Sequence, residues 1–398
     1  MQSATRIYTV PFFLLALSSF LFFASFNMLI PELPGYLSNL GGAEYKGYII
    51  ALFTITAGLS RPFSGRLTDT IGRVPVMAFG SLVCFVCGFL YPLVSWTFLS
   101  AVGAFLTLRL IHGFSTGFKP TGTSAYVADI VPDDRRGEAM GVLGLCGSIG
   151  MAFGPAIGSW VTDWFGLNGL FFTSSLLALL SIVILLNMKE TLTEKVPFRW
   201  RLLRISRRDV FEPDVIPPSL VTFFNSFSYG AVVTLAPDFS EALGVGNKGL
   251  FFAVFTLASL AIRFLAGKIS DRYGRRPVLT AASGIITLAM LALAASGSVT
   301  AFLLAGALFG ISMGMYSPTA QAWTVDLSHP GNRGRAMATM YIALEAGIGL
   351  GAWLSAAVYD NQPGNFSTAF YWMAVFSTLS LLYLVLPGRV RVRQPKGV

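Results

Sequence analysis

Four ionisable side chains stand inside long apolar runs: Arg109, His112, Lys119 and Glu345. A charge near the bilayer centre costs roughly 2.5–3.5 kcal/mol even on the lenient insertion scale, so each is a functional candidate. Arg109 and His112 are three residues apart and share a helix face, with Gly113 leaving room beside them. Histidine changes charge near neutral pH without much help, so His112 reads either as a proton carrier or as a neutral hydrogen-bonding group. Arginine stays charged, and Arg109 would act on a nearby acid or bind an anion. Glu345 is the one carboxylate placed deep in a run. A carboxyl whose surroundings alternate between water and protein changes its proton affinity. Glu345 is therefore read as a coupling carboxylate, the alternatives being a static polar contact or a direct ligand of cargo. Lys119, two to three turns from Arg109, either snorkels to the interface or lines a cavity that favours an anionic group.

Enzyme chemistry has no comparable footing. No nucleophile–base constellation, phosphate-binding loop or dinucleotide fingerprint is present. His112 and His329 are too few for a His-rich metal site. Cys84-Phe-Val-Cys87 lies in an apolar helix and reads as packing. The expectation is a protein that is not an enzyme, with no metal and no cofactor.

A second set of charges sits in turns, and it is repeated. Arg61-Pro-Phe-Ser-Gly-Arg-Leu-Thr-Asp-Thr-Ile-Gly-Arg-Val-Pro-Val recurs as Arg263-Phe-Leu-Ala-Gly-Lys-Ile-Ser-Asp-Arg-Tyr-Gly-Arg-Arg-Pro-Val. Gly65, Asp69, Gly72 and Arg73 thus match Gly267, Asp271, Gly274 and Arg275. Asp69 and Arg73 are opposite charges four residues apart, and Asp129 can complete a three-member cluster whose counterpart adds Asp326. Glycines in such a turn allow close packing and a tight reversal. Gly113, Gly117, Arg136, Gly137 and Met140 match Gly310, Gly314, Arg333, Gly334 and Met337 at nearly the same offset.

The elements that carry these residues follow from composition. Of 398 residues, 54% are hydrophobic and 12% charged, with a mean hydropathy of +0.67 and a net charge of +9. Soluble domains carry about 25% charged residues, so a cytosolic enzyme, a disordered chain and a nucleic-acid binder are excluded. Three cysteines exclude a disulfide scaffold. Twelve spans are expected, near 9–37, 45–66, 74–94, 97–128, 135–163, 167–188, 214–242, 247–268, 277–296, 299–326, 333–360 and 366–387. Asp163 and Asp360 close the fifth and eleventh. The runs are long and do not alternate with period two, which favours helices over barrel strands. The first run is too long for a cleaved signal peptide and leads into Pro31 and Pro34.

Lys and Arg accumulate on the cytoplasmic side. An inside N-terminus puts Arg66, Arg73, Arg135, Arg136, Lys268, Arg272, Arg275, Arg276, Arg333 and Arg335 there, with only Lys46 and Lys248 outside. Both termini are therefore expected to be cytoplasmic, in a multi-pass protein of the cytoplasmic (inner) membrane. The positive charge needs no acidic partner beyond anionic lipid heads. The divisions are a six-helix bundle over 1–188, a charged linker over 189–213, a second bundle over 214–388 and a basic tail over 389–398. A parallel repeat of this kind suits a site between the halves that opens alternately to each side.

Over essentially its whole length the chain resembles the major facilitator superfamily, whose signature loop is the G-x-x-x-D-x-x-G-R turn found here at Gly65–Arg73 and Gly267–Arg275. The resemblance implies an all-α membrane protein with twelve transmembrane helices in two pseudo-symmetric six-helix bundles. It also implies that the clusters Asp69–Arg73–Asp129 and Asp271–Arg275–Asp326 latch the cytoplasmic ends when the outside is open. Gly141-x8-Gly150-x3-Gly154-Pro155-x2-Gly158-Ser159 closely resembles the superfamily's antiporter motif, with Ser159 where its final glycine stands. Glycines four apart admit another backbone, and Pro155 bends the helix. The groove is read as a seal against proton leak at the half-interface. The eleventh span keeps Gly347 and Gly351 but has Ala352 and Ser355. Arg109-Leu-Ile-His112-Gly113 resembles the fourth-helix motif R-x-x-Q-G, in which the arginine is associated with proton transfer.

Arg109 by this resemblance, and Glu345 and His112 by their own chemistry, are the proton-coupling candidates; Asn27, Asn225 and Gln321, on helices that line the cavity in the family, and Lys119 are candidate cargo contacts. The first span has no acid near its middle, and Glu32 at its outer end is expected in water, so with Arg109 and Lys119 against Glu345 an anionic or zwitterionic cargo competes with a cationic one. Most phenylalanines of that span, among them Phe12, Phe13, Phe22 and Phe26, are expected to face lipid, the alternative being a greasy cavity wall. The expected function is secondary active export of a small amphipathic compound or drug against protons, by a monomer whose partners are that small molecule, protons and the bilayer. The alternative is a proton-coupled uptake symporter for a sugar, amino acid or organic anion.

Overall fold

A computed structural model describes residues 8–96, 100–131, 136–204, 211–328 and 333–386. The basic tail, His329 and Arg135 lie outside the described residues. The described chain is helical, without strands. In order come α1 (Val10–Asn27), α2 (Leu33–Asn39), α3 (Lys46–Thr70), α4 (Arg73–Leu90), α5 (Ala101–Ile130) and α6 (Arg136–Leu186). They are followed by α7 (Ile216–Ala242), α8 (Leu250–Tyr273), α9 (Arg275–Ala294), α10 (Val299–Leu327), α11 (Arg333–Tyr359) and α12 (Phe366–Val385).

Two boundaries differ from expectation. The first span does not run through to residue 37: α1 stops at Asn27, and a turn leads into the short α2. Pro31 lacks the N–H that would bond the Asn27 carbonyl and continue the ladder, while Pro34 sits in the first turn of α2, where no N–H is needed. The fifth and sixth spans form one 51-residue element, α6, interrupted where Gly166 takes φ 68°, a conformation that costs glycine little. Gly166 thus makes the division expected near Asp163, and Asp360 at φ 48° does the same after α11.

Eight helical stretches are long and apolar enough to cross a membrane, one of them the 45-residue Val142–Leu186. At 1.5 Å per residue that stretch is about twice the hydrocarbon thickness. The helices that fall short, α3, α5 and α8, carry Arg61 and Arg66, Arg109 and Lys119, and Arg263 and Lys268. With the break at Gly166 counted, the described residues supply twelve long helical segments.

Contacts gather the chain into two units. One comprises Met1–Ala43, Leu52–Ile205 and Asn247–Ala253; the other comprises Glu44–Ala51, Ser206–Gly246 and Val254–Val398. In the first, α1 packs along α6, and α4 packs on α5 and α6. In the second, α7 packs along α11, and α9 packs on α10 and α12. The sequence repeat is thus a repeat of packing.

Lipid tails are as apolar as leucine, so helices in a membrane associate by close van der Waals fit and hydrogen bonds rather than by hydrophobic burial. The glycines show this. A Cβ on Gly113 of α5 would strike the Phe53 carbonyl and Thr56 of α3; one on its repeat partner Gly310 of α10 would strike the Phe255 carbonyl of α8. Gly347 and Gly351 of α11 press on the Phe223 and Phe227 carbonyls of α7, as Gly150 and Gly154 of α6 press on Phe20 and Ala24 of α1. Because α1 is enclosed, Phe12, Phe22 and Phe26 are buried within the protein and Phe13 alone of those four is exposed, which corrects the lipid-facing reading.

Candidate functional site

The signature loop of the first unit is built on a reversal. Gly72, at φ 130°, ends the turn after α3 and precedes α4. Arg73 Nη1 lies 3.1 Å from Asp69 Oδ1, and its Nε lies 3.1 Å from Asp129 Oδ2. Nη1 also donates to the Thr68 carbonyl at 2.5 Å. The Asp69 side chain is 73% exposed, and exposed pairs contribute little, so Asp129 is the firmer partner.

Sequence reading missed the residue that completes this cluster. Glu190, just after α6, accepts the Arg73, Thr191 and Leu192 N–H groups on Oε1 at 3.0, 2.9 and 3.0 Å. Its Oε2 accepts the Val74 N–H at 2.9 Å. A carboxylate over the first turn of α4 satisfies orphan donors and complements the helix dipole. A Cβ on Gly72 would collide with that carboxylate, so the glycine answers two requirements at once. Thr191 Oγ1 adds a 2.5 Å bond to Asp129 Oδ2. An acid followed by threonine at the end of an apolar span was the available signal. Glu190→Ala is expected to lower the unfolding free energy in detergent by about 1–2 kcal/mol; thermal unfolding beside the wild type checks this.

The second unit repeats the arginine with different surroundings. Arg275 Nε lies 2.8 Å from Asp326 Oδ2, and its Nη1 donates to Ser270 Oγ at 2.9 Å. Gly274 takes φ 89°. The Asp271 side chain lies outside the described residues. Arg276 donates to the Leu384 and Leu386 carbonyls at 2.6 and 3.0 Å. Among the described residues, a Cβ on Gly65 or Gly267 would meet nothing within 4 Å. The reversals at Gly72 and Gly274 do the turning.

Inside the first unit α5 aims three polar side chains inward. Arg109 is 2% exposed, with its guanidinium 4.5 Å from the Phe53 ring centroid and Nη1 donating to Tyr91 Oη at 3.4 Å. His112 Nδ1 lies 3.3 Å from the same Tyr91 hydroxyl, and Nε2 lies 3.3 Å from Cys84 Sγ. Cys84 Sγ is 3.1 Å from Ser25 Oγ, which itself donates to the Phe22 carbonyl. A guanidinium, a phenol, an imidazole, a thiol and a hydroxyl therefore form one hydrogen-bonded column across α5, α4 and α1. Such a column can pass a change at Arg109 to His112 through the shared phenol.

Lys119, 1% exposed, neither snorkels nor lines a surface. Its Nζ donates to Ser18 Oγ at 2.5 Å and Ser181 Oγ at 3.2 Å, and Ser181 reaches Ser81 at 3.2 Å. The ammonium is thus spent on hydroxyls of α1 and α6, with α4 behind them, and as placed it offers cargo nothing. Asn225 of α7 faces inward in the same way, donating to Ser283 of α9 at 2.9 Å. Asn27 is buried and donates to the Phe23 carbonyl of its own helix. Gln321 of α10, half-buried, donates to Ser317 at 3.3 Å.

The glycine-rich stretch of α6 has described contacts with α1 of its own unit. A Cβ on Gly150 would lie 2.6 Å from the Phe20 carbonyl oxygen, one on Gly154 would lie 3.0 Å from the Ala24 oxygen, and one on Gly158 would strike the Met28 carbonyl. Through these three glycines the groove seats α1 within the unit. Gly141 lies in α6, but its surroundings fall outside the described residues; Pro155 is buried inside the helix. Ser159 donates to Glu32 Oε1 at 2.9 Å. Glu32, expected in water, is instead half-buried and fixed to α6 by the residue that replaces the motif's last glycine.

In the second unit Glu345 of α11 is 8% exposed, buried within an apolar helix. Among the described residues no group of three or more His, Cys, Asp or Glu side chains is placed to hold a metal ion.

Residues 15–213 and 218–397 match the Major Facilitator Superfamily. The chain is 25% identical over 390 residues to the multi-drug resistance efflux pump PmrA of Streptococcus pneumoniae, covering 94% of this chain and 95% of that protein. It is 28% identical over 294 residues to the multidrug resistance protein MdtG of a Rahnella species, covering 69% of each. Among solved structures, a D-xylose-proton symporter superposes with a TM-score of 0.76 at 17% identity, over 94% of this chain and 96% of that one. That likeness shows the fold alone. A repeated signature loop, two units packed alike and a match to the family over nearly the whole length make this multi-pass membrane protein, a transporter of small molecules rather than an enzyme, a member of the Major Facilitator Superfamily.

Proposed function

We propose that the chain is a proton-coupled exporter of a small amphipathic compound, working as an antiporter by alternating access. The observation that carries export is the 25% identity, over almost the full length of both chains, to a pump named for multidrug efflux. Proton coupling is supported by Glu345, a carboxylate 8% exposed in the middle of an apolar helix, where a charge is retained only for use. Arg109 and His112 supply the linked polar column of the first unit. Arg73 with Asp69 and Asp129, and Arg275 with Asp326, act as latches. In this reading both termini and the 189–213 linker are cytoplasmic, and bundles over 1–188 and 214–388 move as the halves of a monomer in the cytoplasmic membrane.

Everted vesicles test this. With an imposed inside-acid gradient, ethidium addition is expected to collapse the gradient in vesicles holding the chain and not in empty ones. Ethidium uptake that persists unchanged after nigericin would remove the proton, and no uptake with or without the gradient would remove ethidium-like drugs as cargo.

A further inference from the structure

The segment after α6 is stitched to the signature loop and leaves an exposed basic, aromatic face. Val196 N–H donates to the Thr70 carbonyl at 2.9 Å, and Arg66 Nη1 donates to the Arg204 carbonyl. Leu202 and Leu203 pack against the buried cluster of Leu67, Val76 and Phe118, which anchors the single helical turn Trp200–Leu203 on the first unit. Its other side chains turn outward. Trp200 is 80% exposed and Phe198 49%, their rings edge to face with centroids 5.5 Å apart. Lys195, Arg199, Arg201 and Arg204 are exposed beside them, with Glu194 as the one acid between residues 194 and 204. Arg207 and Arg208 continue the charge outside the described residues.

Two large rings held in the open are costly in water, and four cations around them narrow what can cover them. Aromatic rings settle at the headgroup level of a bilayer, and basic side chains there draw anionic lipid. We propose that residues 195–204 form a docking surface for anionic phospholipid headgroups, with Phe198 and Trp200 entering the interface and the basic residues holding the phosphates. The proposal rests on the orientation given above, which puts this segment at the cytoplasmic leaflet. Because the segment is bonded to Arg66 and Thr70, lipid held there also braces the signature loop.

The test reads lipid contact directly and needs no transport. The full chain is placed in nanodiscs of phosphatidylcholine with or without phosphatidylglycerol, either lipid being brominated in turn. Emission lost in Trp200→Phe, one of seven tryptophans, isolates the reporter. Brominated phosphatidylglycerol is expected to quench that component more than brominated phosphatidylcholine at equal fraction, and the preference should fall as salt rises. Replacing Arg199, Arg201 and Arg204 by Gln, with Leu202 and Leu203 kept as anchors, should lower the preference about fivefold per residue. Equal quenching by the two lipids, or a preference that survives the triple substitution, would overturn the assignment while leaving the export reading untouched.

Discussion

Glu345→Gln is expected to abolish gradient-driven accumulation of ethidium in everted vesicles while ethidium counterflow continues. The amide matches the carboxyl in size and hydrogen-bonding shape but cannot take up and release a proton. Glu345 is enclosed at 8% exposure on α11, so a near-isosteric replacement keeps the packing around it. Losing a positioned proton carrier typically costs on the order of 100-fold or more in the step it serves, and the initial rate of concentrative uptake should fall by that much. Counterflow needs only binding and the conformational cycle, so it separates coupling from folding. Normal accumulation by the variant would strike Glu345 from the mechanism; loss of both activities would assign it to cargo binding.

The second large effect is on stability, and it comes as a matched pair. Gly113→Ala and Gly310→Ala each put a methyl group against a backbone carbonyl of the neighbouring helix, Phe53 in one unit and Phe255 in the other. A carbonyl on a packed helix cannot swing aside, so α3 and α5, or α8 and α10, must separate. Overpacking of this kind costs about 1–3 kcal/mol. Gly65→Ala and Gly267→Ala are the controls: among the described residues the added methyl meets nothing within 4 Å, and both sites lie inside α3 and α8. Alanine's better helix propensity should leave these neutral or stabilised by up to about 1 kcal/mol. Unfolding in detergent with all four variants side by side checks the contrast. Equal stabilities would mean the helices do not approach as closely as the glycines indicate.

The fold was legible because its signals are long. Apolar runs of membrane length, a duplicated loop and a charge bias each extend over many residues, and the repeat identified α3 and α8 even though their charges blunt hydropathy. The site was legible only in part. Arg109, His112 and Glu345 announced themselves as charges in apolar runs, and Arg73 was placed with Asp69 and Asp129 by spacing. Facing was not readable. Lys119 and Asn225 turn toward Ser18 and Ser283 in their own units, yet in a helix apolar on every side no periodicity separates the protein-facing from the lipid-facing residues. Glu190 and the Ser159–Glu32 bond were missed for a different reason. Each joins segments more than 100 residues apart, and nothing local in the sequence records the meeting.

The cage around Lys119 also bears on how the chain is made. The α5 segment leaves the ribosome with Arg109 and Lys119 aboard, when Ser18 and Ser81 already exist but Ser181 lies some 60 residues downstream. Until that last hydroxyl arrives, the ammonium has an incomplete set of partners and the segment is a poor candidate to partition alone into lipid. The α5 segment is therefore expected to settle in the membrane together with α1 and the far end of α6, whose hydroxyls close around the lysine.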